Sequence, residues 1–188
     1  MQALFLEKEF TYDGRQLHSL WGYFQHRISG DSIISWIGPC QIPFSHMVDG
    51  EDLLARSEIR GDRMLHFVIE IFDRNLFSAV ALQRLLAAIV KDELEKISPK
   101  LNNKRFIRKG DDLFLEEKKL SISIASSSPV SEMIHFALNV SNQGTPVPTL
   151  SLEDLEVEPR ALAEKVMQLF CSEYLSIVAA TRKVRPLS

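Results

Sequence analysis

Six residues in the second half of the chain have the types and spacing for chemistry at an acyl or phosphoryl oxygen: Asp112, Lys119, Ser121, Ser123, His135 and Asn139. Strand periodicity is what collects them. In KKLSISIA (118–125), Lys119, Ser121 and Ser123 fall on one face, and Leu120, Ile122 and Ile124 on the other. In EMIHFALNV (132–140), His135, Ala137 and Asn139 share a face. A hairpin through SSSPVS pairs these strands. With Ile122 and Phe136 both directed to the core, Ser121 and His135 belong to one polar surface. Such a face is ordinarily just solvated. Small residues flanked by a cation, a carboxylate and an imidazole read instead as the floor of a cleft.

Each role has a physical basis. The Lys119 ammonium polarises a carbonyl or neutralises a carboxylate or phosphate, and Asp112 orients it. His135 carries a proton or hydrogen-bonds across the sheet. His66 and Glu70, on the polar face of MLHFVIEIF (64–72), join the same cleft. Arg105 and Arg108 bring guanidinium forks suited to phosphate or carboxylate, a solvated hairpin being the plainer use of both. Cys40, after Gly38-Pro39 and with His46 nearby, reads as a buried small residue more readily than as a nucleophile. The acids of SHMVDGED match no standard metal loop and suit a helix start. No metal site is expected.

The elements that position these groups follow from periodicity and punctuation. A helix is expected over 16–29, ended by Gly30, then a short strand through Ile33–Ile37, stopped by Gly38-Pro39. Residues 41–62 read as a loop-rich connection with one helical turn. After the 64–72 strand, Asp73 or Asn75 caps a helix over 76–97. Four short extended segments follow: RFIRKG, DDLFLEE, KKLSISIAS and EMIHFALNV. A tight hairpin at Glu116-Glu117 sends Leu113 and Leu115 to the core and puts Phe114 on the face of Lys119. A slip of one residue would exchange Lys118 for Lys119, and Leu120 argues against it. GTPVPT cannot be a central strand, SLEDL is a turn or short helix, and Pro159 opens a last helix to about 181. Mixed helices and adjacent strands define an α+β fold, mainly antiparallel, with flanking helices.

The chain has 188 residues, 45% hydrophobic and 25% charged, with a formal net charge of -3. That suits one domain over 1–188 and gives no bulk electrostatic signal for a nucleic-acid partner. Two distant cysteines make no disulfide framework, and no apolar run would span a bilayer. A cytoplasmic protein is expected.

GDDLFLEEKKLS resembles the lipoate-ligase segment in which Asn-Asp-Leu opens one strand and a Lys-led sequence opens the next. By that resemblance Asp111 stands at the ligases' Asn, Asp112 at their Asp and Lys119 at their active-site lysine. HFALNV is similar to the His-Gly-x-Ala-Leu-Asn-Val of octanoyltransferases, with Phe136 in place of the glycine, and GTPVPTLSLEDL resembles a later stretch of the same enzymes. Over nearly its full length the chain also resembles an uncharacterised family of archaea and thermophilic bacteria, through HMVDGED, MLHFVIE, DDLFLEEKKLSISIA and IHFALNV. These resemblances imply the catalytic fold of biotin/lipoate ligases and class II aminoacyl-tRNA synthetases. They imply a small carboxylic acid or acyl donor as partner, acyl transfer or acyl-adenylate formation, ATP as a cofactor by resemblance alone, and a homodimer by analogy. Two departures stand out. There is no glycine-rich adenylate loop, and SNQGTPVPT has no cysteine where octanoyltransferases carry a Pro-Cys-Gly nucleophile. A non-catalytic module binding a small ligand, RNA or protein on the same fold is therefore the alternative.

Overall fold

The computed structural model describes residues 1–56, 59–145 and 149–187. Its main sheet has five strands: β1 (Gln2–Phe5), β2 (Ser32–Gln41), β3 (Arg60–Ile71), β7 (Ser121–Ser127) and β8 (Glu132–Asn139), in the order β1-β2-β3-β8-β7. Only the β1–β2 pair is parallel. A small antiparallel sheet of β4 (Ile107–Lys109), β5 (Asp112–Leu115) and β6 (Lys118–Lys119) stands beside it. The helices are α1 (Trp21–His26), α2 (Gly50–Ala55), α3 (Leu76–Ile97) and α4 (Pro159–Thr181). The α+β reading, with its mainly antiparallel sheet and flanking helices, is what the structure shows.

Alternation along β3 divides the molecule. Leu65, Phe67, Ile69 and Ile71 are fully buried with Leu86, Val90, Val166 and Phe170 of α3 and α4 in one core. The opposite face, with Trp36, Met64, Val68, Met133 and Ala137, packs under the N-terminal segment around Tyr12 and Trp21. α3 starts where Asn75 Oδ1 accepts the amide of Ser78, so Asn75 rather than Asp73 is the cap. α4 starts at Pro159 and is capped by Glu158. The tight hairpin is present. Phe114 pairs with Lys119, Leu115 with Lys118, Leu113 is fully buried, and Glu116 takes the left-handed turn conformation.

Several expectations need correcting. The first helix is only Trp21–His26, because residues 14–20 form turns and Leu20 sits in left-handed geometry. β2 does not stop at Gly38-Pro39. It runs to Gln41 through a register shift between Gly38 and Cys40, which accommodates Pro39 in a strand. The described residues of 41–62 carry more order than a loop, with a 3-10 turn at Phe44–His46, α2 capped by Asp49, and the first residues of β3. SLEDL is a turn. Within GTPVPT, residues 146–148 lie outside the described residues.

The largest correction concerns Ser121 and Ser123. Strand pairing is Ser121 to Leu138, Ile122 to Ala137, Ser123 to Phe136 and Ile124 to His135. Directly paired residues share a face, so Ile122 and Ile124 stand with His135, while Ser121 and Ser123 stand with the helix-side core. The cause is Leu120. It lies between β6 and β7, fully buried, as the chain passes from the small sheet to the large one. Alternation set by Leu120 is right for Lys119 and Leu115, and shifts by one along β7.

Candidate functional site

A cavity of about 470 Å³ opens on the face of the main sheet away from α3 and α4. The sheet beneath it is a lattice set by register, of which Ile122, Ile124 and His135 reach the cavity. One row crosses Trp36, His66, Ala137 and Ile122, and the next crosses Ile34, Val68, His135 and Ile124. α2 and the preceding turn form one wall through His46, Met47 and Asp49. The small sheet and its approach form another through Asp111, Asp112 and Lys119.

Lys119 and Asp112 form an ion pair at this wall, Nζ to Oδ2 2.8 Å, with side chains 36% and 30% exposed. Both are where the β5–β6 hairpin aims them. The backbone around Lys119 is pinned, since its carbonyl accepts from Leu150 N and from Asn139 Nδ2, and it bridges in parallel to Thr149. Asn139 also donates to Leu150 O, so its amide nitrogen clips the segment after β8 onto the sheet. Asp111, next to Asp112, accepts from Gln83 Nε2 at 2.9 Å. Burial pushes its carboxyl above the usual range and Asp112 adds to this, while its own backbone amide, Arg84 and Lys119 oppose.

His135 lines the cavity and is 2% exposed. Its Nε2 lies 3.1 Å from Nδ1 of His66, whose Nε2 donates to the Gly38 carbonyl at 3.1 Å. Tyr12 stacks on His135, ring centroids 3.6 Å apart and planes 8° from parallel. His66 packs its ring against both Tyr12 and Trp36. Burial lowers the His66 pKa to about 4 against the opposing Gly38 and Pro39 hydrogen bonds. It also lowers that of His135 well below the ordinary range, with His66 adding to the effect. Both imidazoles are therefore neutral near pH 7, and His135 as placed is not a cationic acid.

Of the remaining sequence-derived candidates, the structure brings some together and separates others. Ser121 and Ser123 reach the cavity lining at the sheet edge, but their hydroxyls are engaged. Ser121 Oγ accepts from Leu113 N. Ser123 Oγ donates to the His135 carbonyl and accepts from Gln83. His66 lies behind His135 and is fully buried. Glu70 is on the cleft face of β3 but two rows beyond His66, where it accepts from Leu20 N and Ser131 Oγ. It positions the start of α1 and the β7–β8 loop. Arg105 pairs with Glu95 across α3, and Arg108 donates to the Gly110 carbonyl. Neither lines the cavity. Cys40 is buried, does not line it, and its thiol is pushed up to about 12. Among the described residues no group of three or more His, Cys, Asp or Glu could hold a metal ion, and no helix is long and apolar enough to cross a membrane.

Sequence reasoning missed Tyr12, Gln83 and Met64. Met64 has the parity of His66 and Val68, so extending the β3 alternation by one step finds it. Tyr12 and Gln83 carry no local signal, because their contacts come from opposite ends of the fold.

A five-stranded, mainly antiparallel sheet with a cleft on one face and two long helices on the other is the fold of biotin and lipoate ligases. Over 91% of this chain the structure matches biotin protein ligase from Aquifex aeolicus in complex with biotin and ATP, covering 69% of that chain, with TM-score 0.57 and 16% identity. It matches Ta0514 of T. acidophilum with bound lipoic acid over 94% of this chain and 87% of that one, with TM-score 0.55 and 14% identity. At these identities the likeness is one of fold. The chain belongs to the family described as domain of unknown function (DUF366), whose model matches residues 1–185. Within reach of the family are the uncharacterized protein MJ0805 of Methanocaldococcus jannaschii, 32% identical over all of this chain and 86% of its own length, and a protein of unknown function from Pyrococcus horikoshi. The latter is 35% identical with TM-score 0.92, over 100% of this chain and 99% of that one.

Proposed function

We propose that the cleft binds a small carboxylic acid in acyl-donor form and that Lys119 polarises its carbonyl for transfer. The observation that carries this is the Lys119–Asp112 pair, 2.8 Å apart and one-third exposed, on the wall of the 470 Å³ cavity. Three N–H donors on an ammonium leave Lys119 able to hold a carbonyl oxygen while Asp112 fixes it. The fold's relatives support the substrate class, since one was solved with biotin and ATP and another with lipoic acid.

The cavity's charge decides between a free acid, a nucleotide and a neutral acyl group. Its described lining carries Asp49, Glu51, Asp52, Asp111 and Asp112 against Lys119 and Arg60. A triphosphate would meet that excess of carboxylates, and the chain has no glycine-rich loop to replace them with backbone donors. The described residues therefore do not fit ATP. A neutral ester, thioester or amide carbonyl carries no charge to be repelled. The described lining holds no cysteine, and the hydroxyls of Ser121, Ser123, Thr145 and Thr149 are all hydrogen-bonded within the protein, so the attacking nucleophile is assigned to an acceptor molecule. The same lack favours, as the second reading, a module that binds an acyl compound without turning it over.

Thermal shift and calorimetry with small acyl thioesters, amides, free acids and ATP, on the natural chain and Lys119→Ala, test the proposal. Neutral acyl compounds are expected to stabilise the protein, with the effect lost in Lys119→Ala and ATP inert. ATP-dependent release of AMP would replace transfer by adenylation. Indifference of both proteins to every acyl compound would refute acyl binding, and binding without release of thiol from a thioester plus amine would select the second reading.

A further inference from the structure

The Gly38–His66–His135 chain fixes a tautomer. The Gly38 carbonyl can only accept, so His66 Nε2 carries hydrogen. Neutral His66 then presents a bare Nδ1, which must accept from Nε2 of His135 across 3.1 Å. Neutral His135, having spent its one hydrogen, keeps a lone pair on Nδ1. Among the described residues, the buried side-chain nitrogens and oxygens without a partner are His26 Nε2 and Ser35 Oγ. Among the described residues His135 Nδ1 has no hydrogen-bond partner, and it is not one of these buried atoms, so it is reached from the cavity that His135 lines. Tyr12 on its face holds the ring in this orientation.

Its distance from the proposed acyl site sets the shape of what it meets. Asn139 donates to the backbone of Lys119, and His135 stands four residues back along β8 on the same face, about 13 Å away at strand spacing. Between them the cavity is lined by Ile122 of β7, which pairs with the fully buried Ala137, and by Met64 beside Asn139. The cleft is polar at each end and apolar in the middle.

We propose that His135 Nδ1 is a specificity-determining acceptor, so that the substrate of this cleft is an acyl chain of a few carbons whose far end carries an N–H or O–H donor. This rests on the acyl-binding reading above and narrows it. His66 acts through His135 as a positioning residue. A purely hydrocarbon or disulfide-ended chain would leave the Nδ1 lone pair desolvated without a partner, which costs affinity.

Biotinamide and lipoamide provide the probes. Both are neutral, with the same four-methylene chain, and differ in a cyclic urea bearing N–H against a dithiolane bearing none. Long-range proton–nitrogen NMR on histidine-labelled protein without ligand reads the tautomers first. His135 Nδ1 is expected to be unprotonated and Nε2 protonated. Biotinamide is expected to shift the Nδ1 resonance and to bind about tenfold more tightly than lipoamide, the scale of one well-made hydrogen bond. His135→Phe, which keeps an aromatic ring under Tyr12, is expected to erase that ratio with its fold checked by thermal melting. A protonated Nδ1 overturns the inference with no ligand involved. Equal binding of the two amides overturns it while leaving the acyl reading intact. Binding of neither amide, with the tautomer as assigned, overturns both.

Discussion

Tyr12 lies flat on His135 at 3.6 Å, although the two are far apart in sequence. The stack exists because the Tyr12 backbone is stitched to β2: its amide donates to the Pro39 carbonyl and its carbonyl accepts from Gln41 N. Tyr12 is 1% exposed, and burial is the first cause of its raised hydroxyl pKa. Truncating the ring should cost on the order of 3 kcal/mol in Tyr12→Ala, by analogy with other aromatic truncations, against less than about 1 kcal/mol in Tyr12→Phe. Urea unfolding of the three proteins measures this. The His135 pKa, followed by NMR, should rise toward its ordinary range in Tyr12→Ala, because water then reaches the ring.

Gly38 makes the same clamp possible from below. A Cβ built there would meet the Phe10 carbonyl oxygen at 2.1 Å, so the segment before Tyr12 can lie this close only over a glycine. Gly38→Ala is expected to lose about 1 to 3 kcal/mol by displacing the backbone of Phe10. It should also weaken the Phe10–Trp36 stack, whose centroids are 4.5 Å apart. Tryptophan fluorescence and thermal melting report the two effects. An alanine variant as stable as the natural chain would contradict the close approach.

The two buried histidines make stability fall on acidification. A group whose folded pKa is depressed below its unfolded value binds its proton preferentially in the unfolded chain. For His66 that happens between about 6.5, the ordinary value, and about 4. Its contribution is therefore complete above the upper limit and is lost as pH falls toward the lower one. The sign is the same for His135. By pH 5, His66 alone should account for about 2 kcal/mol of lost stability. Denaturation midpoints of the natural chain and His66→Gln, compared from pH 7.5 to 5, should converge as pH falls. Glutamine keeps a donor for the Gly38 carbonyl and cannot titrate.

Ser123 separates structure from recognition. Its hydroxyl joins Gln83 of α3 to the His135 carbonyl, on the helix side of the sheet. Ser123→Ala is expected to cost about 1 kcal/mol in stability while leaving acyl-ligand affinity unchanged within error. A large loss of affinity at constant stability would return Ser123 to the ligand's side of the sheet.

That serine also marks how far the sequence was legible. The long helices, the hairpin at Glu116 that sets Lys119 beside Asp112, and the shared face of His135 and Asn139 follow from periods of 3.6 and 2, because each lies within one unbroken element or hairpin, whereas the link from Lys119 to His135 runs through Ser121. The failure at Ser121 and Ser123 has one cause. Period-two reasoning assumes a continuous pleat, and the chain changes sheets at Leu120. β2 outruns its sequence signal for a related reason, since Pro39 reads as a terminator unless a bulge carries it past the ladder. Arg105 and Arg108 have suitable chemistry but no periodic link to the cleft wall, and Glu70 shares the face of His66 but stands two rows beyond it; in the structure their partners are Glu95, the Gly110 carbonyl, and the Leu20 amide with Ser131.

Lys119 and Asp112 should separate function from stability in the opposite sense to Ser123. The pair is about one-third exposed, so solvent screens it and Lys119→Ala should change stability by less than about 1 kcal/mol. If the ammonium holds the acyl oxygen, the same variant should lose at least about tenfold in acyl-ligand affinity or turnover. Lys119→Arg should recover only part of this, because a planar fork replaces a compact charge already fitted to Asp112. Asp112→Asn keeps a hydrogen-bond acceptor but removes the charge that orients Lys119, so its loss should be smaller than that of Lys119→Ala. Calorimetry on the four proteins with one neutral acyl ligand checks the ranking. Lys119→Ala binding as well as the natural chain would remove the lysine from the site, and with it the reason for placing acyl chemistry there.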